Sequence, residues 1–262
     1  MKRKMIFILI MGIMGAGLAF FWHTQQSKAP GGKGESTTTK STNNAAGQHT
    51  EQQPSFNTAQ YSLEDPTSMW VVVNKQRPLN PVNYAPALTI PNIPLAATTD
   101  MEKHVGAAMA PHLESLVAAA KKDGILLNLQ SGYRSYSFQV ALYNRYVSEQ
   151  GKAVADTQSA RPGHSEHQTG WAADLGTPDK PACDVEECFG DTAAGKWLAD
   201  NSYKYGFIIR YPKDKQGTTG YIYEPWHVRY VGTDLATEMH NKGVTTLEEF
   251  FGLPAAPDYS QE

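Results

Sequence analysis

Between His23 and about Gln60 the chain is written almost entirely in Gln, Ser, Thr, Asn, Gly and Lys. So little apolar surface cannot offset the entropy of ordering, so this stretch is expected to stay a flexible linker. As a random coil it spans roughly 35 Å. Ahead of it, Met1-Lys2-Arg3-Lys4 is a basic cluster, and Met5 to Trp22 is an apolar run about as long as a helix that crosses a hydrocarbon core. The run ends in Phe20, Phe21 and Trp22 rather than in small residues suited to cleavage. That ending favours an uncleaved single-pass anchor over a secretory signal peptide, with the basic flank inside and everything after Trp22 exported. The expected organisation is an anchor over residues 1–22, the linker over 23–60, and a folded domain over 61–262.

With 23 Lys plus Arg against 26 Asp plus Glu, the chain has a net charge of −3. It lacks the basic excess that phosphate neutralisation requires, which argues against a nucleic-acid partner. Within the folded part, residues 69–74 (MWVVVN) read as a short strand, followed by a Pro-punctuated irregular stretch to about Ala97. Residues 107–122 read as a helix, because Met109, Leu113, Leu116, Val117 and Ala120 recur at helical spacing and Gly124 stops it. Further strands are expected over 125–130, 171–175, 207–211 and 221–231, with helices over 138–149 and 193–205. Helices mixed with short strands, without a regular strand–helix–strand period, indicate α+β architecture.

The two cysteines, Cys183 and Cys188, sit in a polar loop. In an exported domain such a pair is most simply a disulfide. Metal ligation is the alternative, but no His or further Cys at finger spacing accompanies them. The loop follows Asp174 closely and is expected to rim whatever site forms there.

Three segments gather polar groups beside Gly and aromatics: residues 131–135, 159–174 and 223–230. His167 and Asp174 flank a possible Thr169-Gly170 turn, and His227 lies on a later strand. If the chain folds back at that turn, two His and one carboxylate, with a position left for water, have the composition of an open catalytic zinc site rather than a closed structural one; the alternative is that each His is a hydrogen-bonded structural residue. Glu224 precedes His227 by three residues. In a regular strand the two would face opposite sides, but Pro225 favours a bulge that turns both into one cleft. A carboxylate beside a metal site, itself no ligand, is placed to act as general base and then proton donor.

The set S-G-Y-R-S-x-x-x-Q, P-G-x-S-E-H-Q-T-G-x-A-x-D, Y-G-F-I-x-R-Y and Y-E-P-W-H-x-R-Y-V-G, in that order over roughly residues 70–253, closely resembles the VanY-type D-alanyl-D-alanine carboxypeptidases, zinc peptidases of the M15 family. The resemblance implies a small antiparallel sheet with flanking helices, the α+β fold shared with lysostaphin-like peptidases and the hedgehog domain. It also implies His167, Asp174 and His227 as zinc ligands, Glu224 as catalytic base, and Arg134 as the group stabilising the oxyanion. Gln139 and Ser165 match substrate-pocket residues, and Tyr211 and Trp226 resemble pocket-wall aromatics. The implied function is a membrane-tethered zinc D,D-carboxypeptidase of the bacterial cell surface, taking the terminal D-alanine from peptidoglycan stem peptides. The rivals are an L,D-carboxypeptidase acting on tetrapeptide stems, a peptidoglycan endopeptidase, and, in another class, a zinc-stabilised binding module. Retention of both Glu224 and Arg134 argues against the last.

Overall fold

The computed structural model describes residues 56–260. The expected anchor, residues 1–22, and most of the expected linker lie outside the described residues. Among the described residues, no helix is long and apolar enough to cross a membrane. The folded body takes in Phe56, on the linker side of the expected boundary: its ring stacks on Trp70 and meets Phe250 edge-on, each at 5.7 Å.

The first expected element is corrected. Residues 69–74 do not form a strand. Their side chains do alternate, Trp70 and Val72 into one apolar cluster and Val71 and Val73 into another. Their backbone groups, however, bond to turns and side chains. The Val72 amide donates to the Leu63 carbonyl, and the Met69 and Val71 carbonyls accept from Arg229 Nη2. Period-two burial therefore arose without a neighbouring strand.

Two short strands, β1 (Leu88–Thr89) and β2 (Val105–Gly106), pair antiparallel. Helix α1 (Ala110–Lys122) has Pro111 in its first turn and Lys121 and Lys122 in its last, and buries Leu113, Leu116, Val117 and Ala120. Strand β3 is Asn128–Ser131, later than expected, because Ile125–Leu127 approaches the sheet with Leu126 exposed. Helix α2 (Tyr136–Gln150) begins where the Ser135 hydroxyl accepts from the Phe138 amide, and α3 (Lys152–Gln158) follows after Gly151.

Strand β4 (Ala172–Gly176) is buried along its whole length. After the cysteine loop comes α4 (Ala193–Asn201), capped by Thr192. It continues as a 3-10 turn to Tyr205, so the expected helix over 193–205 is real but changes pitch. Then follow β5 (Phe207–Tyr211), α5 (Gln216–Thr219), β6 (Glu224–Tyr230), α6 (Thr233–Lys242) and α7 (Leu247–Phe251).

Strands β3, β4, β6 and β5, in that spatial order, form one antiparallel sheet. Leu129, Leu175, Val228 and Phe207 pack from it against Leu113, Leu116 and Leu198. This is the α+β architecture that the residue pattern and the resemblance imply.

Beside the sheet lies a second kind of core, built from charges. Glu166 Oε1 accepts from Arg210 Nε at 2.8 Å and Arg229 Nη1 at 2.7 Å. Arg210 also donates to both oxygens of Glu248, at 3.0 and 2.7 Å, and Asn74 Nδ2 donates to Glu248 Oε1. All four charged side chains are fully buried, two positive and two negative, so the cluster is neutral as a whole. Burial pushes the Glu166 carboxyl up, but Arg210 and Arg229 outweigh it and hold it well below the usual carboxylate range. Glu248 is lowered in the same way, with Arg210 overcoming burial.

Both carboxyls therefore add stability that is present above their unfolded pKa of 4.5 and is lost as pH falls through their depressed folded values. Removing one partner leaves a buried charge uncompensated, so Glu248→Ala is expected to lose roughly 3–5 kcal/mol. Urea unfolding at neutral pH and at pH 3 checks this: the difference between wild type and variant should shrink at the lower pH. A loss under about 1 kcal/mol at neutral pH, the scale of an exposed pair, would contradict it.

Candidate metal centre and active site

The site is assembled on one rung of the sheet. Ser131 on β3 pairs with Asp174 on β4, and Asp174 pairs with His227 on β6. Antiparallel partners bring their side chains close on one face, so two of the three expected ligands meet because of strand register. The third arrives by a tight turn. Residues Glu166–Thr169 form a 3-10 turn that ends at Gly170 in the left-handed region, φ 77°, immediately before β4. A side chain at Gly170 would stand 2.9 Å from the Gly106 backbone as well as requiring that φ, so glycine is needed there twice over.

The bend expected at Pro225 is present. Between the pairs Ile209–Val228 and Tyr211–Glu224, β5 advances two residues while β6 advances four. This bulge carries Glu224 onto the face of His227, with Glu224 Oε2 3.8 Å from His227 Nδ1.

Ligand atoms of His167, Asp174 and His227 all lie within 4.8 Å of one another, and all three residues are buried. Each ring is oriented from behind. His167 Nδ1 donates to the Gly132 carbonyl at 2.6 Å, which leaves the Nε2 lone pair facing inward. His227 Nε2 faces Glu166 Oε2 at 3.4 Å, and its Nδ1 faces Asp174 Oδ1 at 3.1 Å. Burial lowers the His227 imidazole, but its bonds to Asp174 and Glu166 outweigh burial and raise it to about 9. Burial, with Arg134 next, lowers His167 and keeps it a neutral donor. Asp174 is held well below the carboxylate range, its two His partners and Arg134 overcoming burial. The residues thus fit a divalent cation: two imidazoles held from behind and one ionised carboxylate converge where the protein favours positive charge.

Arg134 stands directly over these atoms. Its Nη2 donates to Asp174 Oδ2 at 2.7 Å and His167 Nε2 at 2.9 Å, and its Nε donates to Ser131 Oγ at 3.0 Å. The Ser131 hydroxyl donates in turn to Glu102 Oε1. Burial raises the Glu224 carboxyl to about 8, against the lowering effect of His227. An open cleft of about 320 Å³ runs over the centre.

His167, Asp174, His227, Glu224, Arg134, Ser165, Tyr211 and Trp226 all line that cleft. Tyr211 leans on the His227 ring at 4.9 Å, so it supports the centre as well as walling it. Gln139 is placed differently. It is fully buried behind the wall, its amide donating to Ser159 Oγ and the Ala160 carbonyl, and it does not line the cleft. Its part is to hold the Ser159–Ala160 segment, which does. Cys183 and Cys188 are joined by a disulfide, and Val185 between them lines the cleft, so the loop rims the site as expected.

Three positions were not legible in the sequence: Glu166 behind His227, and Ser131 and Glu102 behind Arg134. Glu166 is adjacent to His167 in the chain, but adjacency does not distinguish a buried carboxylate from a solvated one.

A family model described as D-alanyl-D-alanine carboxypeptidase, VanY, matches residues 102–233. The putative carboxypeptidase YodJ of Bacillus subtilis (strain 168) is 43% identical over 192 residues, covering 72% of this chain and 69% of the relative. The solved structure of the LdcB LD-carboxypeptidase superposes with a TM-score of 0.67 at 43% identity, over 71% of this chain and 87% of that one. A variant of the vancomycin-resistance D,D-pentapeptidase VanY, from a VanB-type cassette and in complex with Zn(II), superposes with a TM-score of 0.57 at 35% identity, over 70% and 98%. This chain belongs to the VanY family of D-alanyl-D-alanine carboxypeptidases.

Proposed function

We propose that this protein is a zinc carboxypeptidase that releases the terminal D-alanine from peptidoglycan stem peptides at the outer face of the bacterial membrane. The observation that carries the reading is the convergence of His167, Asp174 and His227 with Glu224 and Arg134 on one cleft. His167, Asp174 and His227 would hold the zinc, which would supply Lewis acidity toward the scissile carbonyl and the attacking water. Glu224 takes a proton from that water and returns it to the leaving amine, a role suited to a carboxyl raised to about 8. Arg134 donates from its planar fork to the carbonyl oxygen as negative charge develops there, and Ser131 holds the fork at its Nε. Ser165 and Arg134 are the donors offered to the peptide's terminal carboxylate. The placement at the membrane rests on the apolar run over residues 5–22.

A second reading, removal of D-alanine from tetrapeptide stems by L,D cleavage, is favoured by the higher TM-score and identity to the LD-carboxypeptidase. Both readings use the same residues of this chain and differ in the residue accepted before the scissile bond.

The purified protein should hold one zinc per chain, and His227→Ala should hold much less by metal analysis; equal zinc in both would sink the ligand assignment. Glu224→Ala should keep its metal while kcat falls roughly 10²–10⁴-fold, the usual contribution of general acid–base catalysis. Turnover within a few-fold of wild type would remove Glu224 from the role. Defined tri-, tetra- and pentapeptide stems, with products identified by mass, decide the specificity. Release of one D-alanine from the pentapeptide alone supports D,D cleavage, and release from the tetrapeptide supports L,D cleavage. The C-terminal amide should react at least roughly tenfold more slowly, since donors placed for an anion lose their partner, about 1.4 kcal/mol. Internal fragments from cross-linked stems would instead point to an endopeptidase.

A further inference from the structure

The cleft over the metal centre does not end at Glu224. A second cavity of about 720 Å³ adjoins it on that side, and the two share Tyr146, Gln158, Val185, Glu224 and Trp226. Arg134, Ser165 and His167 line only the first. A peptide whose terminal residue faces Arg134 and Ser165 and whose chain continues into the second cavity passes Val185.

Val185 is an unusual residue in an unusual place. It is β-branched, yet its φ is 58°, in the left-handed region that such residues avoid. It is also exposed, at 43%, so no core packing of its own side chain explains the conformation. The surrounding loop imposes it. Cys183 and Cys188 close the loop on either side. Asp184 pins it to the end of β4, accepting from the Thr177 amide at 2.8 Å, and to β3, accepting from Gln130 Nε2 at 2.8 Å. A side chain on Gly176 would lie 2.5 Å from the Asp184 carboxylate, so the loop seats directly on the strand that carries Asp174. Strain that the surroundings enforce at an exposed position is characteristic of ligand clamps. A rigid apolar side chain also contacts a ligand at little entropic cost, because it has few rotamers to lose.

We infer that Val185, held up by the disulfide-closed loop, is a specificity-determining contact for the part of the substrate peptide N-terminal to the scissile bond, which lies across it into the second cavity. The inference rests on the carboxypeptidase reading above and adds the direction in which the stem runs.

The test compares a pentapeptide stem with an N-acylated D-Ala-D-Ala dipeptide, on wild type, Val185→Gly and Val185→Asn. Glycine and asparagine both tolerate the left-handed backbone, so each removes the apolar contact without forcing the loop to move. The readout is the ratio of kcat/KM for the long peptide to that for the short one, in which any loss of folded protein cancels. The ratio should fall at least fivefold in both variants, through KM for the long peptide. An unchanged ratio, or equal losses on both peptides, would overturn the assignment. The same ratio of dissociation constants, measured by calorimetry with the two peptides, reads the contact without turnover. Failure of wild type to release D-alanine would thus count against the catalytic reading alone, and equal binding of the long peptide to wild type and variants against the Val185 contact alone.

Discussion

One buried carboxylate ties the sheet to the chemistry. Glu166 accepts from Arg210 on β5 and Arg229 on β6 through one oxygen, and turns the other toward His227. An ionised Glu without solvent would be prohibitive alone, and two guanidiniums make it tolerable. The same two guanidiniums reach outward, Arg210 to Glu248 on α7 and Arg229 to the carbonyls of Met69 and Val71. The N-terminal extended segment, the C-terminal helix and the edge strand are thus fastened to the point from which His227 is oriented. Stability and metal-site geometry are consequently coupled, because a change that loosens Glu248 is felt by Arg210 and then by Glu166.

The second constraint is register. Asp174 and His227 are cross-strand partners, and Ser131 completes the same rung. A one-residue slip would send each side chain to the opposite face. The bulge in β6 then breaks the alternation once, where Glu224 has to join His227. Regular pairing brings Asp174 to His227, and a local irregularity adds Glu224. Arg134 lies just beyond the end of β3, where the strand hands its chain to α2, and Ser131 fixes its fork.

Much of this was readable from residue patterns, though unevenly. Helix α1 follows from its apolar spacing and its proline and lysine ends. Residues 69–74 misled because alternation reports which way side chains point, while a strand requires a partner for the backbone. Helices α3, α5 and α7 were not expected because at 7, 4 and 5 residues they are too short to set a period, whereas α6 buries Leu235, Ala236 and Met239 at helical spacing and was within reach of the pattern. The convergence of His167, Asp174 and His227 was legible because they are residue types that metal chemistry requires together. Gln139 was matched to the pocket by motif, yet it stands behind the wall, since a motif does not say which face of α2 meets the cleft.

The sequence by itself determined the chemistry available: two histidines, three carboxylates and an arginine in segments whose glycines and prolines permit sharp turns, with a cysteine pair close enough to bridge. Only the tertiary structure decided which carboxylate does what. Asp174 faces two imidazoles and a guanidinium and stays ionised, Glu166 is neutralised by two arginines, and Glu224 is buried with less compensation and is raised to about 8. The physical reason is that a carboxyl's behaviour depends on desolvation and on the charges within a few ångströms. Those neighbours come from strands that are far apart in the chain.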